Sequence, residues 1–251
     1  MIHFVGAGPG SADLITVRGQ RLLSQADAVI YAGSLVNPAL LSVCRQDCRI
    51  LDSASMTLEE VVAVMLEEQA LGHELVRLHT GDPSLYGAIR EQMDILDEHG
   101  VSYDVTPGVS SMCAAASALQ AEYTLPSVSQ SVIITRMEGR TPVPQGEKLA
   151  ALASHGCTMV LFLSAALIES VRDELIAGGY SPSTPAAIVY KASWPDERVI
   201  RCSVGSLPEA AREAGINKTA LITVGGFLGS SYERSKLYDP AFSHGFRESS
   251  I

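Results

Sequence analysis

The stretch that decides the fold is IHFVGAGPG at residues 2–10, where an apolar run passes directly into a glycine-rich turn. Ile2–Val5 predicts a β-strand, and the turn begins at Gly6. Similar runs alternate with helical patterns along the whole chain, which is typical of α/β domains built on largely parallel sheets. The best-defined helix is predicted over Thr57–Leu71, where apolar residues recur at the spacing of one helix face.

The strands fall into two series, which predicts two α/β domains. The predicted strands are Ile2–Val5, Asp27–Tyr31, Cys48–Leu51, Leu75–His79, Tyr103–Val105, Ser131–Thr135, Thr158–Leu163, Ala186–Tyr190, Arg198–Val204 and Thr219–Val224. A helix is also predicted over Met112–Leu119, and a polar segment with Pro126 follows it. We therefore expect one domain over residues 1–119, a second over 120–228, and an aperiodic tail over 229–251.

Composition excludes several classes of protein. The 251 residues include 18 Lys and Arg against 28 Asp and Glu, a net charge of −10, which argues against a nucleic-acid coat. No apolar run approaches the ~20 residues of a membrane span, and the N-terminus lacks the pattern of a secretory signal, so the sequence predicts a cytoplasmic protein. The five scattered cysteines are typical of reduced thiols, and no His or Cys spacing predicts a metal site.

Three glycine-containing turns each follow a predicted strand: Gly6–Ser11, Thr80–Gly87 and Thr106–Ser111. Because open α/β sheets bind ligands at the carboxyl ends of their strands, the three turns predict one ligand site. A dinucleotide fingerprint is incomplete, since Ser11 replaces its third glycine and no acid ends the second strand. An NAD-dependent oxidoreductase therefore stays a weaker alternative.

Two features of the turns allow a purely structural interpretation. Asp82 followed by proline is also the pattern of a helix N-cap. His79, at the end of the fourth strand, is interpreted as an edge residue with its hydrogen bonds satisfied, although it lies next to the predicted site.

Basic residues and an aromatic loop mark the second half. Arg136 and Arg140 follow its first strand, and arginine captures carboxylates in bidentate fashion; the alternative is two solvated arginines that balance nearby glutamates. The loop between Tyr190 and Arg198 contains the only tryptophan, Trp194. It is interpreted either as a flat apolar wall with a cation beside it or as the tip of a β-hairpin.

Taken together, five segments resemble the tetrapyrrole methylase family. They are VGAGPG at 5–10, RLHTGDPSLYG at 77–87, DVTPGVSS at 104–111, EYTLPSVSQSVIITR at 122–136 and YKASWPDERV at 190–199. The resemblance implies two α/β domains of the class III methyltransferase type, with mostly parallel or mixed sheets and a cleft for S-adenosylmethionine between them. It also implies a homodimer that methylates a carbon of a tetrapyrrole in cobalamin or porphyrin biosynthesis.

The resemblance also implies which residues bind the ligands. The residues that match the family's cofactor contacts are Pro9, Thr80, Gly81, Asp82, Leu85, Ser110, Ser111, Leu163, Ala192 and Ala220. The substrate is expected at Tyr31, Arg136 and Arg140. Uroporphyrinogen-methylating relatives carry an acid after the tyrosine of strand two and a lysine after strand three; this chain has Ala32 and residues 52–54 there, so no catalytic residue is assigned. A non-catalytic tetrapyrrole carrier stays open as a further alternative.

Overall fold

A computed structural model describes residues 1–250 and divides the chain into two compact units. Unit 1 comprises Met1–Ala115 together with Lys191–Glu197; unit 2 comprises Ala116–Tyr190 and the chain from Arg198 onward. The division after Ala115 falls inside a helix, four residues before the sequence-based boundary. The short segment 191–197 lies apart in sequence from the rest of unit 1, which no local pattern indicates.

Unit 1 is built on a parallel five-stranded sheet with the strand order β3-β2-β4-β1-β5. Its strands are β1 (Ile2–Gly6), β2 (Ala28–Tyr31), β3 (Arg49–Asp52), β4 (Leu75–His79) and β5 (Tyr103–Thr106), and its helices are α1 (Val17–Gln25), α2 (Leu58–Ala70) and α3 (Arg90–Glu98). The helix α4 (Ser111–Leu119) crosses the division point.

The two faces of this sheet carry separate cores. Val5 and Leu78 belong to one core with Leu23 of α1, whereas Phe4 belongs to the other with Met65 of α2. Burial on both faces is why β1 and β4 are apolar over most of their length. The predicted helix over residues 57–71 is confirmed as α2, which begins after a capping box and, at 13 residues, is the longest helix described; none within residues 1–250 suits a bilayer crossing.

Unit 2 contains a mixed five-stranded sheet with the order β6-β7-β10-β8-β9. Its strands are β6 (Val132–Arg136), β7 (Thr158–Phe162), β8 (Pro185–Tyr190), β9 (Arg198–Ser203) and β10 (Ala220–Val224), and its helices are α5 (Leu149–Ala153), α6 (Ile168–Ala177) and α7 (Leu207–Glu213). Only β6 and β7 pair in parallel, while the other neighbours are antiparallel. The hairpin β8–β9 allows antiparallel pairing because a short loop replaces a crossover helix.

All ten predicted strands are present, and their ends agree with the prediction within one residue. The two-domain α/β class with parallel and mixed sheets is confirmed. Residues 229–250 contain no α-helix or strand, and several aromatic side chains there are exposed, among them Phe246. The five cysteines are free.

Candidate functional site

The three glycine turns of unit 1 lie together at the carboxyl ends of adjacent strands. In the sheet, β1 stands between β4 and β5, so the turns that follow these strands are neighbours. Gly81 donates its N–H to the carbonyl of Gly8 over 2.8 Å, and Gly8 donates back over 3.3 Å. The predicted meeting of the turns is confirmed, because these bonds join the first turn to the second.

Glycine is required where the turns touch. A Cβ added to Gly108 would lie 2.1 Å from the carbonyl oxygen of Gly81 and 2.7 Å from the Cα of Gly6. A Cβ on Gly6 would lie 2.5 Å from the Cα of Gly108. Since no side chain fits at either position, the backbones of all three turns pack directly on one another.

Asp82 joins the second turn to the third through its carboxylate. One oxygen accepts the N–H of Gly108 over 2.9 Å, and the other accepts the N–H of Ser84, also over 2.9 Å. Burial works to raise the pKa of Asp82, but the bonds from Ser84 and Gly108 outweigh burial and hold that pKa below its usual range. The helix N-cap interpretation is wrong, because the next helix begins at Arg90.

His79 and Arg77 are buried below the second turn. Burial first, and the charge of Arg77 second, lower the pKa of His79 to about 3, so the imidazole is neutral. The interpretation of His79 as a satisfied edge residue is wrong, since it is 3% exposed and its Nε2 has no hydrogen-bond partner. Arg77 donates to the Oε1 of Gln92 over 3.3 Å, and Gln92 donates to the carbonyl of Ala88 over 2.9 Å. This relay supports a strained residue directly after the turn, because Ala88 has a φ of 50°.

The other candidate residues of unit 1 lie on or beside the turns. Pro9 and Ser110 are buried, whereas Thr80 is exposed. The N–H of Leu85 closes the turn on the carbonyl of Asp82 over 3.2 Å. Ser111 begins α4 directly after the third turn.

Tyr31 ends β2 at the same edge of the sheet and lies opposite Asp52 in the register. Burial and the Asp52 carboxylate raise the pKa of Tyr31, so its phenol keeps its proton at neutral pH. Within residues 52–54, where the relatives carry a lysine, this chain thus places one acidic group, Asp52, beside the phenol of Tyr31.

The loop 191–197 brings the tryptophan to the first turn. Trp194 donates its Nε1–H to the carbonyl of Pro9 over 3.0 Å, and Ser11 donates its N–H to the Oγ of Ser193 over 3.0 Å. Ala192, directly before Ser193 in the loop, is 6% exposed. The interpretation of this loop as the tip of a hairpin, here β8–β9, is confirmed. A cation also lies beside the ring, with the Nζ of Lys191 5.5 Å from the centroid of the indole, while a role of the indole as a wall of the site stays a prediction.

Unit 2 holds the remaining candidate residues. Leu163, directly after β7, has a φ of 53° and is 68% exposed, an unusual combination for a large apolar residue. Ala220 begins β10 opposite Tyr190. Arg136 donates to the carbonyls of Met137, Thr141 and Pro142, the last over 2.7 Å, so its guanidinium is committed to its own loop.

Arg140 is exposed on the loop that Arg136 holds. The two arginines therefore play different parts, although the sequence treats them alike. The sequence did not predict the contacts of Trp194 with the first turn or the hydrogen bonds that link Arg77, Gln92 and Ala88. Pro9 in a glycine-rich turn and a tryptophan 185 residues further on give no signal of a shared contact, and Arg77 sits in a strand where only its burial reveals its role.

Comparison with known proteins identifies the family. The model of the tetrapyrrole (corrin/porphyrin) methylases matches residues 1–208. The chain belongs to the tetrapyrrole methylase family. Within that family, a cobalt-precorrin-4 C(11)-methyltransferase of Methanocaldococcus jannaschii is 51% identical over 249 residues, which cover 99% of this chain and 96% of the relative.

Solved structures of tetrapyrrole methylases agree with this assignment. The X-ray structure of a cobalamin biosynthetic enzyme, cobalt precorrin-4 methyltransferase, has a TM-score of 0.89 and 50% identity, covering 91% of this chain and 96% of that one. A uroporphyrin-III C-methyltransferase from Thermus thermophilus, complexed with S-adenosylhomocysteine, has a TM-score of 0.75 and 27% identity, covering 90% and 98%.

Proposed function

We propose that the protein is an S-adenosylmethionine-dependent methyltransferase that methylates C11 of cobalt-precorrin-4, or of its metal-free counterpart, to give the corresponding precorrin-5 in cobalamin biosynthesis. The observation that carries the proposal is 51% identity to a cobalt-precorrin-4 C(11)-methyltransferase over 99% of the chain. Another corrin-ring methylase of the same pathway is the nearest alternative. The Thermus thermophilus relative was solved in complex with S-adenosylhomocysteine, the product that this cofactor leaves after methyl transfer.

The residues proposed for the cofactor fit a flexible organic ligand. In unit 1 they are Pro9, Thr80, Gly81, Asp82, Leu85, Ser110, Ser111 and Ala192, and in unit 2 they are Leu163 and Ala220. The turns of unit 1 present glycine and small side chains, so that a ligand can approach the backbone closely. The exposed and strained Leu163 offers an apolar contact that packing within unit 2 does not explain.

The reaction mainly requires the protein to align the methyl donor with the tetrapyrrole carbon. When bound, the cofactor supplies a methyl group on a positively charged sulfur, which a nucleophilic carbon of an electron-rich tetrapyrrole attacks. Holding two reactants in line is worth on the order of 7–11 kcal/mol of barrier. Asp82 fixes the geometry of its turn through Gly108 and Ser84. His79 is neutral and buried, which argues against a role for it in proton transfer.

Tyr31, Arg136 and Arg140 are proposed for the substrate, whose acetate and propionate groups call for cationic partners. Arg140 is exposed and free to turn toward carboxylates, whereas Arg136 shapes the loop that presents it. We expect Arg140→Ala to weaken substrate binding roughly tenfold, in line with the loss of one charge-assisted pair. Arg172→Ala on α6, whose side chain pairs with Asp173, is the matched control. Equal dissociation constants for the two variants would contradict this role of Arg140.

The experiment that tests the activity is incubation with labelled S-adenosylmethionine and each corrin intermediate in turn. Mass spectrometry and NMR then identify the methylated carbon. We expect one methyl group at C11 of a precorrin-4, and methylation of another carbon would favour the alternative methylase. Tight NAD binding without S-adenosylhomocysteine binding would favour the oxidoreductase, and tetrapyrrole binding without methyl transfer would favour the carrier.

We also propose a homodimer in the cytoplasm. The support is the sequence pattern of the family, together with exposed aromatic residues such as Tyr238 and Phe246 between residues 229 and 250. Sedimentation equilibrium should give about twice the 26.6 kDa of one chain. A mass of one chain at working concentration would contradict the dimer.

A further inference from the structure

Trp194 makes contacts that none of the proposed cofactor residues explains. Its indole N–H donates to the carbonyl of Pro9 over 3.0 Å. Next to it, Ser193 accepts the N–H of Ser11 over 3.0 Å. The two hydrogen bonds hold the backbone of the first glycine turn at the residues before and after Gly10.

The indole ring also lies directly against Gly10. A Cβ added to Gly10 would be 2.1 Å from the Cδ1 of Trp194 and 2.3 Å from its Nε1. On the same residue, the carbonyl of Gly10 accepts a hydrogen bond from the side chain of Asn37 over 2.8 Å. Gly10 is therefore held through its carbonyl and by a ring, and a side chain at this position would displace the tryptophan.

The loop that carries Trp194 is strained in a way that supports this placement. Lys191 has a φ of 45° and Ser193 a φ of 68°, a region in which a non-glycine residue costs about 1–2 kcal/mol. Lys191 pairs with Asp196 over 2.7 Å, and the N–H of Ser193 donates to the Glu197 carboxylate over 2.6 Å. These contacts hold the two non-glycine residues in their positive-φ conformations and so stabilise one particular geometry of the loop that presents the indole.

From these contacts we infer that Trp194 is a positioning residue for the cofactor turn Gly8–Ser11, which it holds in the conformation that receives the cofactor. This inference rests on the proposed function, because it assigns the turn to the cofactor. Trp194 acts through the backbone of Pro9 and Gly10. Its removal should therefore weaken cofactor binding and leave the rate of methyl transfer from the saturated enzyme nearly unchanged.

Trp194→Phe tests the inference, since it keeps an aromatic ring and removes the N–H donor. We expect the dissociation constant for S-adenosylhomocysteine and the KM for S-adenosylmethionine to rise roughly 3- to 10-fold, the value of one hydrogen bond, while kcat stays within about twofold. Ser193→Ala should act in the same direction. Ser154→Ala, which removes a serine bond to the carbonyl of Ala151 at the end of α5, is the matched control and should change neither constant.

The single tryptophan provides a second readout on the unmodified protein. Excitation at ~295 nm reports Trp194 alone because the chain has no other tryptophan. We expect S-adenosylhomocysteine to change its emission with the same dissociation constant that calorimetry gives. Calorimetric binding with unchanged emission, together with wild-type affinity of Trp194→Phe, overturns the role of Trp194 only. If the unmodified protein does not bind S-adenosylhomocysteine, both this role and the proposed function are overturned.

Discussion

Replacing Gly108 by alanine probes the contact on which the three turns depend. The new Cβ would start 2.1 Å from the carbonyl oxygen of Gly81, so that one backbone has to retreat by about 1 Å. Overpacking of this kind typically costs about 1–3 kcal/mol, and strain in the hydrogen bond from Gly108 to Asp82 adds up to about 2 kcal/mol. We expect the free energy of unfolding to fall by roughly 1–5 kcal/mol, and the affinity for S-adenosylhomocysteine to fall at least ~10-fold because the turns separate.

Alanine variants of two further glycines distinguish steric overlap of the new Cβ from backbone strain. Gly81 has a φ of 61° and no atom closer than 3.6 Å to an added Cβ, so Gly81→Ala introduces strain without overlap, at about 1–2 kcal/mol. Gly146 has open space around it, so Gly146→Ala should be nearly neutral. Urea unfolding and calorimetry should rank the losses as Gly108→Ala, then Gly81→Ala, then Gly146→Ala. If Gly108→Ala matches Gly146→Ala in both measurements, the packing of the turns does not support the site as described.

Three other predictions test individual contacts. The folded-state pKa of Asp82 lies below its unfolded value of ~3.9, so its contribution to stability is complete above that pH and is lost as the pH falls through the lower folded pKa. In urea titrations at a series of acidic pH values, the free energy of unfolding should therefore fall less steeply with falling pH for Asp82→Asn than for the unmodified protein. The same steepness in both proteins would contradict this role of Asp82. Gln92→Glu gives buried Arg77 a carboxylate as partner but removes the amide donor to the carbonyl of Ala88. We therefore expect the free energy of unfolding to stay the same or to rise by up to ~1 kcal/mol, while methyltransferase activity falls. A parallel loss of stability and activity would contradict the support of Ala88 by Arg77 and Gln92. Leu163→Gly relieves the strain of a φ of 53° but removes an exposed apolar side chain. The free energy of unfolding should therefore stay within about 1 kcal/mol of that of the unmodified protein, whereas S-adenosylhomocysteine should bind several-fold more weakly. Unchanged binding would remove Leu163 from the site.

The strands were accessible from the sequence because their signal is local. In β1 and β4, both faces are buried, so most residues are apolar and the run stands out against the glycine turn that follows. The meeting of the turns at Gly6, Gly81 and Gly108 also followed from the sequence, since parallel strands place their carboxyl ends at one edge.

The pairing within unit 2 was not accessible in the same way. The strands β8 and β10 read like those of unit 1, yet they pair in antiparallel fashion. Direction depends on the connection between strands: the loop 191–197 could be interpreted as the tip of a hairpin between β8 and β9, but no local pattern indicates how β10 pairs with β8.

Side-chain contacts between residues far apart in sequence could not be predicted either. Arg136 and Arg140 share a loop and a charge, but only the structure shows that carbonyls of that loop occupy the guanidinium of Arg136. Likewise, Asp82 followed by proline fits an N-cap locally, and the competing bond to Gly108 lies 26 residues away. Local propensity gives no information on which of two geometries a tertiary contact will select.

The most direct test of the central claim is a crystal structure of the protein with S-adenosylhomocysteine. We expect electron density for the ligand against the three turns, at Pro9, Gly81 and Ser110, with the indole of Trp194 still bonded to the carbonyl of Pro9. A ligand bound away from these three turns would contradict the assignment of the site.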